Sequence, residues 1–244
     1  MSDLLGVIGG SGLDQLGEGL RLNPIDTAPW GDPSDCFTEF HMGNTHVLFL
    51  PRHGYDHRYA PHRINYRANI MAFKNRGVTR ILAINAVGGI SATMPPGTLV
   101  LADQLIDYTW GRAQTYFEDA LSTPVHIEFA EPFSNTLRQQ VLTAAQKAGV
   151  KIQPTGTLAV TQGPRLETAA EIRKYQADGC GLVGMTSMPE AALAREAGIE
   201  YAAVCVVANK AAGLAEGGTI DGMELVLEVA MQQVSSLLEA MVLV

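Results

Sequence analysis

The stretch "YAAVCVVANKAAG" (201–213) decides how this chain is read. Its first seven residues, Tyr201 to Val207, are apolar or aromatic without interruption, the pattern of a strand buried on both faces. The run then delivers Ala208, Asn209 and Lys210 to its carboxyl end. In open α/β sheets ligands settle beyond the carboxyl ends of strands, so an amide and a cation there mark either a binding site or an ordinary polar turn.

Five further β-rich runs accompany it: "LLGVI" (4–8), "HVLFL" (46–50), "RILAI" (80–84), "TLVLA" (98–102) and "TLAVT" (157–161). Helix-period segments lie between and after them, at 62–76, 134–148, 167–178, 189–197 and 221–241, the second framed by Ser134 as a start and Gly149 as a stop. Continuous apolar strands interleaved with helices predict an α/β protein with a central, largely buried mixed or parallel sheet flanked by helices. The 244 residues have room for one large domain or two small ones, and nothing in them resembles a linker, repeat or low-complexity tract.

With 47% hydrophobic and 17% charged residues the chain can build a core and has no composition typical of disorder. The start "MSDLLGVIGG" lacks a basic segment followed by an apolar one, and no window is apolar enough to span a membrane, so a cytoplasmic protein is expected. Cys36, Cys180 and Cys205 are widely spaced and form no CxxC pair, which argues against a disulfide framework or a structural metal. A net charge of −8 argues against a nucleic-acid surface. Any anion has to be caught locally.

Several segments can do so. "GVIGGSGL" (6–13) runs a strand into Gly9, Gly10, Ser11 and Gly12, whose bare backbone and hydroxyl can turn donors toward an anion. It satisfies neither the dinucleotide, nor the P-loop, nor the nucleophile-elbow pattern, and a plain tight turn remains open. "PRHGYDHRYAPHRINYRANI" (51–70) gathers Arg52, Arg58, Arg63 and Arg67 with His53, His57 and His62 against the single acid Asp56, directly after a strand. Such a local cation excess is either a solvated loop or an anion site; the absence of an HExxH or carboxylate triad disfavours a metal. "INAVGGI" (84–90) ends another strand on a polar residue and glycines, and "TQGPRLETAAEI" (161–172) places Glu167 near a helix start. In "GMTSMPEAALAREAG" (184–198), Met185 and Thr186 precede a helix opened by Pro189.

Taken in order, "GVIGGSGL", "PRHG", "NYRANI", "NAVGG", "TQGPRLET", "GMTSMPEAALAREAGIEYA" and "ANKAAG" resemble the purine nucleoside phosphorylase and methylthioadenosine phosphorylase family in its trimeric branch, over nearly the whole chain. The resemblance implies a single α/β domain over residues 1–244, a homotrimer, and phosphorolysis of a purine nucleoside. Inorganic phosphate is then a co-substrate, with no metal or organic cofactor, no nucleic-acid partner and no membrane. It further implies that Ser11, Arg52, His53 and Thr186 bind phosphate, with Asn85 and Ala86 at the edge. Met185 would pack on the ribose, Leu166 and Glu167 would bound the purine, and Asn209, Lys210 and Ala211 would line the substrate. Asn209 and His53 are the candidate catalytic residues.

Two departures set the expected specificity. Methylthioadenosine-cleaving members carry aspartates at the positions of Asn209 and Ala211; an asparagine can donate to a 6-oxo group that an ionised aspartate would repel. Glu167 likewise matches the 6-oxopurine members, where a carboxylate accepts from N1–H. Ordinary 6-oxopurine members, however, have a late histidine that meets the ribose 5′-hydroxyl, whereas the last histidine here is His126. The corresponding region, "GGTIDGMELVL" (217–227), offers the apolar Ile220, Gly222, Met223 and Leu225. A 6-oxo base with a 5′-methylthio sugar is S-methyl-5′-thioinosine, the expected substrate. Methylthioadenosine, or inosine and guanosine, are the alternatives, and a silent nucleoside-binding protein is the alternative from another class.

Overall fold

The computed structural model describes residues 4–10, 19–43, 45–118, 123–214 and 222–241. Eleven strands lie in one sheet: β1 (Leu4–Gly9), β2 (Leu20–Arg21), β3 (Thr38–Met42), β4 (Thr45–Pro51), β5 (Arg80–Gly89), β6 (Leu99–Leu101), β7 (Gln104–Asp107), β8 (Ile152–Gln153), β9 (Thr157–Val160), β10 (Leu182–Gly184) and β11 (Glu200–Lys210). Five α-helices are described: α1 (Tyr66–Asn75), α2 (Asn135–Ala148), α3 (Ala169–Ala177), α4 (Ser187–Glu196) and α5 (Met223–Ala240). The expected mixed sheet flanked by helices is present, in a single domain.

The uninterrupted apolar run on β11 is explained by parity. Tyr201, Ala203, Cys205 and Val207 face a core shared with Tyr66, Ile70 and Phe73 of α1 and Leu193 of α4. Ala202, Val204 and Val206 face the opposite core, built with Leu137 and Val141 of α2 and Val234 and Leu238 of α5. Successive side chains point to opposite faces, so a strand covered on both sides must be apolar throughout.

The six runs read from the sequence all fall on strands, but β2, β3, β7, β8 and β10 were not anticipated. The helix expected over 62–76 is split into a short 3-10 turn, Pro61–Arg63, and α1, because Ile64 is extended and the Asn65 side chain caps α1 by accepting from the Ala68 N–H. The helix expected from 167 begins at Ala169, capped reciprocally by Thr168 and Glu171. Glu167 is therefore released from the helix.

Pairing around β5 opens the functional cleft. β11 runs parallel to β5 along one edge, from Arg80 to Gly89. On the other edge β1 pairs only as far as Ile84, and antiparallel β10 takes over only at Gly88. Between them, Asn85, Ala86 and Val87 have a strand on one side alone, and the gap on the other is a cavity mouth. The carboxyl ends of β1, β4, β10 and β11 converge on this gap.

Candidate active site

The cation-rich end of the cleft is built at the ends of β1 and β4. Arg52 follows β4 directly and has no solvent exposure. Its Nε and Nη2 donate to the two carboxylate oxygens of Glu190 at 2.7 and 2.9 Å, and the Tyr201 hydroxyl donates to the same carboxylate at 2.8 Å. Burial alone would lower the Arg52 pKa, but the carboxylate outweighs it and the guanidinium is held charged. Nη2 also donates to the Ile8 carbonyl at 3.3 Å, whereas Nη1 has only a long contact, 3.5 Å, to the Ile84 carbonyl. Nη1 is thus the nitrogen least committed to the protein. It lies beside Gly10, where a Cβ would sit 3.2 Å away, so any larger residue there would press on the guanidinium.

His53 lies next to it, with Nδ1 donating to the Tyr59 carbonyl at 2.7 Å. Burial, joined by the charges of Arg52 and His57, pulls its pKa down to about 4. The imidazole is neutral near pH 7 and, with its proton fixed on Nδ1, presents Nε2 as an acceptor. Deeper in, Asn85 donates from Nδ2 to the Ser187 hydroxyl at 2.9 Å and faces the Thr186 hydroxyl at 3.5 Å. Asn85 on β5 and Thr186 and Ser187 at the start of α4 are all buried.

The other end of the cleft carries an amide and a carboxylate. A bulge between Val207 and Asn209 shifts the register of β11 against β5 and turns Asn209 toward the cleft. Its Nδ2 donates to the Lys210 carbonyl at 2.8 Å, which fixes the amide orientation and leaves a second N–H and Oδ1 available. Glu167 accepts from the Thr161 hydroxyl at 2.7 Å through one oxygen. Leu166, Met185, Ala211 and Met223 supply apolar walls, Met223 being carried in by Gly222 (φ +77), which turns the chain into α5.

Among the residues singled out from the sequence, Arg52, His53, Asn85, Ala86, Leu166, Glu167, Met185, Thr186, Asn209, Ala211 and Met223 therefore line one cleft. Lys210 is exposed and does not line it; neither does Gly222 itself. Ser11 and Ile220 lie outside the described residues. The basic segment disperses: Arg58 donates to the Ser34 carbonyl, Arg67 pairs with Glu118, and His62 and Arg63 are exposed. Only Arg52 and His53 of that cluster reach the cleft. Glu190 and Arg112 were not anticipated. A glutamate after a proline reads as a helix first-turn acid, and no local signal couples it to an arginine 138 residues away. Among the described residues, no group of three or more His, Cys, Asp or Glu is placed to hold a metal ion.

Residues 4–243 match the Phosphorylase superfamily. The chain belongs to this family. It is 47% identical over 227 residues, covering 92% of this chain and 90% of the relative, to a protein of Xanthomonas campestris pv. campestris named "Probable S-methyl-5'-thioinosine phosphorylase". It is 43% identical, over 86% of this chain and 80% of the relative, to the 6-oxopurine nucleoside phosphorylase of Pyrococcus furiosus. Among solved structures, methylthioadenosine phosphorylase from Schistosoma mansoni in complex with adenine superposes with a TM-score of 0.91 at 33% identity, over 97% of this chain and 90% of that one. Phosphorylases of this family use phosphate as co-substrate, and their fold is the one seen here. Among the described residues no helix is long and apolar enough to cross a membrane.

Proposed function

We propose that this chain phosphorolyses S-methyl-5′-thioinosine to hypoxanthine and 5-methylthioribose 1-phosphate, with residues 1–244 acting as one domain. The observation that carries the reading is that Asn209 and Glu167 line the same cleft as Arg52 and His53. An amide and a carboxylate at one end suit a 6-oxopurine, while a buried cation and an acceptor imidazole at the other suit a protonated phosphate oxygen.

The chemistry needs no covalent bond to the protein. Phosphate oxygen attacks C1′ as the bond from C1′ to the purine N9 breaks, the sugar passing through an oxocarbenium-like state while the purine gains negative charge. Arg52 Nη1, the Thr186 hydroxyl and the edge formed by Asn85 and Ala86 hold the phosphate; Ser11 completes that set in this reading. His53 Nε2 accepts from P–OH. At the base, an Asn209 N–H donates to O6, where the leaving purine gathers negative charge, and the second Glu167 oxygen accepts from N1–H. Stabilising the charge that develops on the leaving group is where such donors contribute most. Met185 packs on the ribose, and Met223, with Ile220, covers the 5′-methylthio group. Adenine instead presents a lone pair at N1, which an ionised Glu167 repels.

A homotrimer is part of this proposal, supported by Leu166 at the cleft, which leaves 42% of its surface uncovered in the single chain, and so is a reaction that uses no metal or organic cofactor. The three free cysteines suit the reducing cytoplasm. The test is phosphate-dependent base release from methylthioinosine, methylthioadenosine and inosine side by side. Methylthioinosine should be cleaved fastest; equal rates on methylthioadenosine would return the chain to the aminopurine enzymes, and equal rates on inosine to the general 6-oxopurine ones.

A further inference from the structure

Arg112 lies outside the lining of the cleft, in the loop after β7, yet it is tied to both segments that form the cleft's far side. Its Nη1 donates to the carbonyls of Met185 and Met188 at 2.8 and 2.6 Å. Its Nη2 donates to the carbonyls of Gln162 and Thr161 at 2.8 and 3.2 Å, and its Nε to the Gln162 side-chain oxygen at 3.2 Å. Nη1 also reaches the Tyr66 hydroxyl at 3.3 Å, so six acceptors share the five N–H groups of the guanidinium. None is left for a ligand. Every acceptor is neutral, so the group is not serving an ion pair.

The two segments it joins leave β9 and β10, which run parallel side by side. One leads from Thr161, whose hydroxyl holds Glu167, to Leu166; the other carries Met185 and Thr186 into α4. Carbonyls at strand ends and at the start of a helix need donors, and the planar fork of a guanidinium can bridge several of them from a single point. The loop that supplies it is itself pinned. Asp107 accepts from the Thr109 N–H at 2.8 Å, Gly111 (φ +66) turns the chain, and Glu196 accepts from the Thr115 hydroxyl and the Tyr116 N–H at 2.7 and 2.8 Å.

We propose that Arg112 is a positioning residue that fixes the base wall and the sugar wall of the cleft relative to each other. The inference rests on the phosphorolysis reading above. Lysine keeps the charge but concentrates three donors at one atom, so Arg112→Lys should release one of the two segments. Misplacement of about 1 Å can cost on the order of 10²-fold.

The experiment measures kcat and both KM values for wild type, Arg112→Lys, and Arg112→Ala with and without millimolar guanidinium, per folded active site. Arg112→Lys should lose about 10²-fold in kcat/KM for methylthioinosine and should narrow its preference over methylthioadenosine, because Thr161, whose hydroxyl holds Glu167, loses its tie to the sugar wall. Added guanidinium should restore part of the Arg112→Ala loss. A variant that melts earlier yet keeps wild-type KM values and base preference overturns the proposal, leaving Arg112 a merely structural residue. Should the Arg112 variants not fold, Gln162→Ala removes the Nε acceptor, together with the acceptor of the Trp110 N–H in the same loop, and leaves the four carbonyl contacts in place; a shift in base preference supports the proposal and an unchanged preference overturns it. A wild type that releases no hypoxanthine sinks the phosphorolysis reading, a result distinct from any of these.

Discussion

The two ends of the cleft are built to different standards. At the anion end, Arg52 and Glu190 are both without solvent exposure and hold each other, Arg52 donating further to strand-end carbonyls and Glu190 accepting from the Tyr201 hydroxyl. At the base end, Asn209 and Glu167 are only half-buried, each tied by one short hydrogen bond to a near neighbour in sequence. The first end is part of the core. The second can be altered one side chain at a time without disturbing the fold. A co-substrate shared by a family calls for the rigid arrangement, and a base that differs between members calls for the adjustable one.

Cutting the anion end should therefore cost stability before it costs specificity. Glu190→Ala leaves a buried guanidinium without its carboxylate, a loss of about 3–5 kcal/mol in analogous buried pairs. Denaturant unfolding at pH 7 measures it. A loss below about 1 kcal/mol would mean that the pair behaves like an exposed one and that the contrast between the two ends is false.

The same end should carry a pH signature. Well above pH 6.5 the His53 imidazole is neutral in both folded and unfolded chains and contributes no pH dependence. As pH falls from 6.5 toward the folded value of about 4, the unfolded chain takes up a proton that the folded one refuses, so stability drops. The full loss is about 3 kcal/mol, complete only below pH 4. His53→Asn, whose amide can still donate to the Tyr59 carbonyl, should remove that slope. Parallel stability curves for variant and wild type between pH 6.5 and 4 would show that His53 is not held neutral.

The contrast also governs what could be read in advance. At the base end Asn209 was legible as a strand-end amide, a local signal, whereas Glu167 read from its neighbours only as a carboxylate near a helix start and was assigned to the purine by the family resemblance alone. The anion end was legible only in part. Four arginines and three histidines between 51 and 67 read as one cation patch, but Gly54 (φ +77) and His57 (φ +50) turn the chain after Arg52, and the rest disperse. Glu190 and Arg112 act through partners distant in sequence, which periodicity and spacing do not report. Strands as short as β8 and β10 have too few residues to show a period, and they exist because neighbouring strands complete their hydrogen bonds.

At the base end the prediction is chemical. Asn209→Asp replaces a donor to O6 with a charge that repels it, in a side chain whose loss disturbs no core contact. Activity on methylthioinosine should fall by on the order of 10² or more, with little change in the unfolding midpoint. Gain of methylthioadenosine cleavage should be partial, because Glu167 and Ala211 stay unlike their counterparts in the aminopurine enzymes. A variant as active as wild type on methylthioinosine would remove Asn209 from base recognition.

The smallest effect is expected where the substrate's 5′ end would meet the cleft. Met223 enters at the first turn of α5, and His126, the last histidine of the chain, is exposed and does not line the cleft. A thioether wall accepts a methylthio group and offers a 5′-hydroxyl no partner, so a substrate carrying the hydroxyl is desolvated without compensation. Hydrophobic pockets discriminate at this level by about 1–3 kcal/mol, and methylthioinosine should be preferred over inosine by that margin in kcat/KM. Met223→Asn supplies a donor and an acceptor on the same backbone and should move the ratio toward inosine, chiefly through KM, with phosphate KM unchanged. If wild type handles the two nucleosides equally, or if Met223→Asn leaves their ratio where it was, the apolar wall is not what selects the sugar.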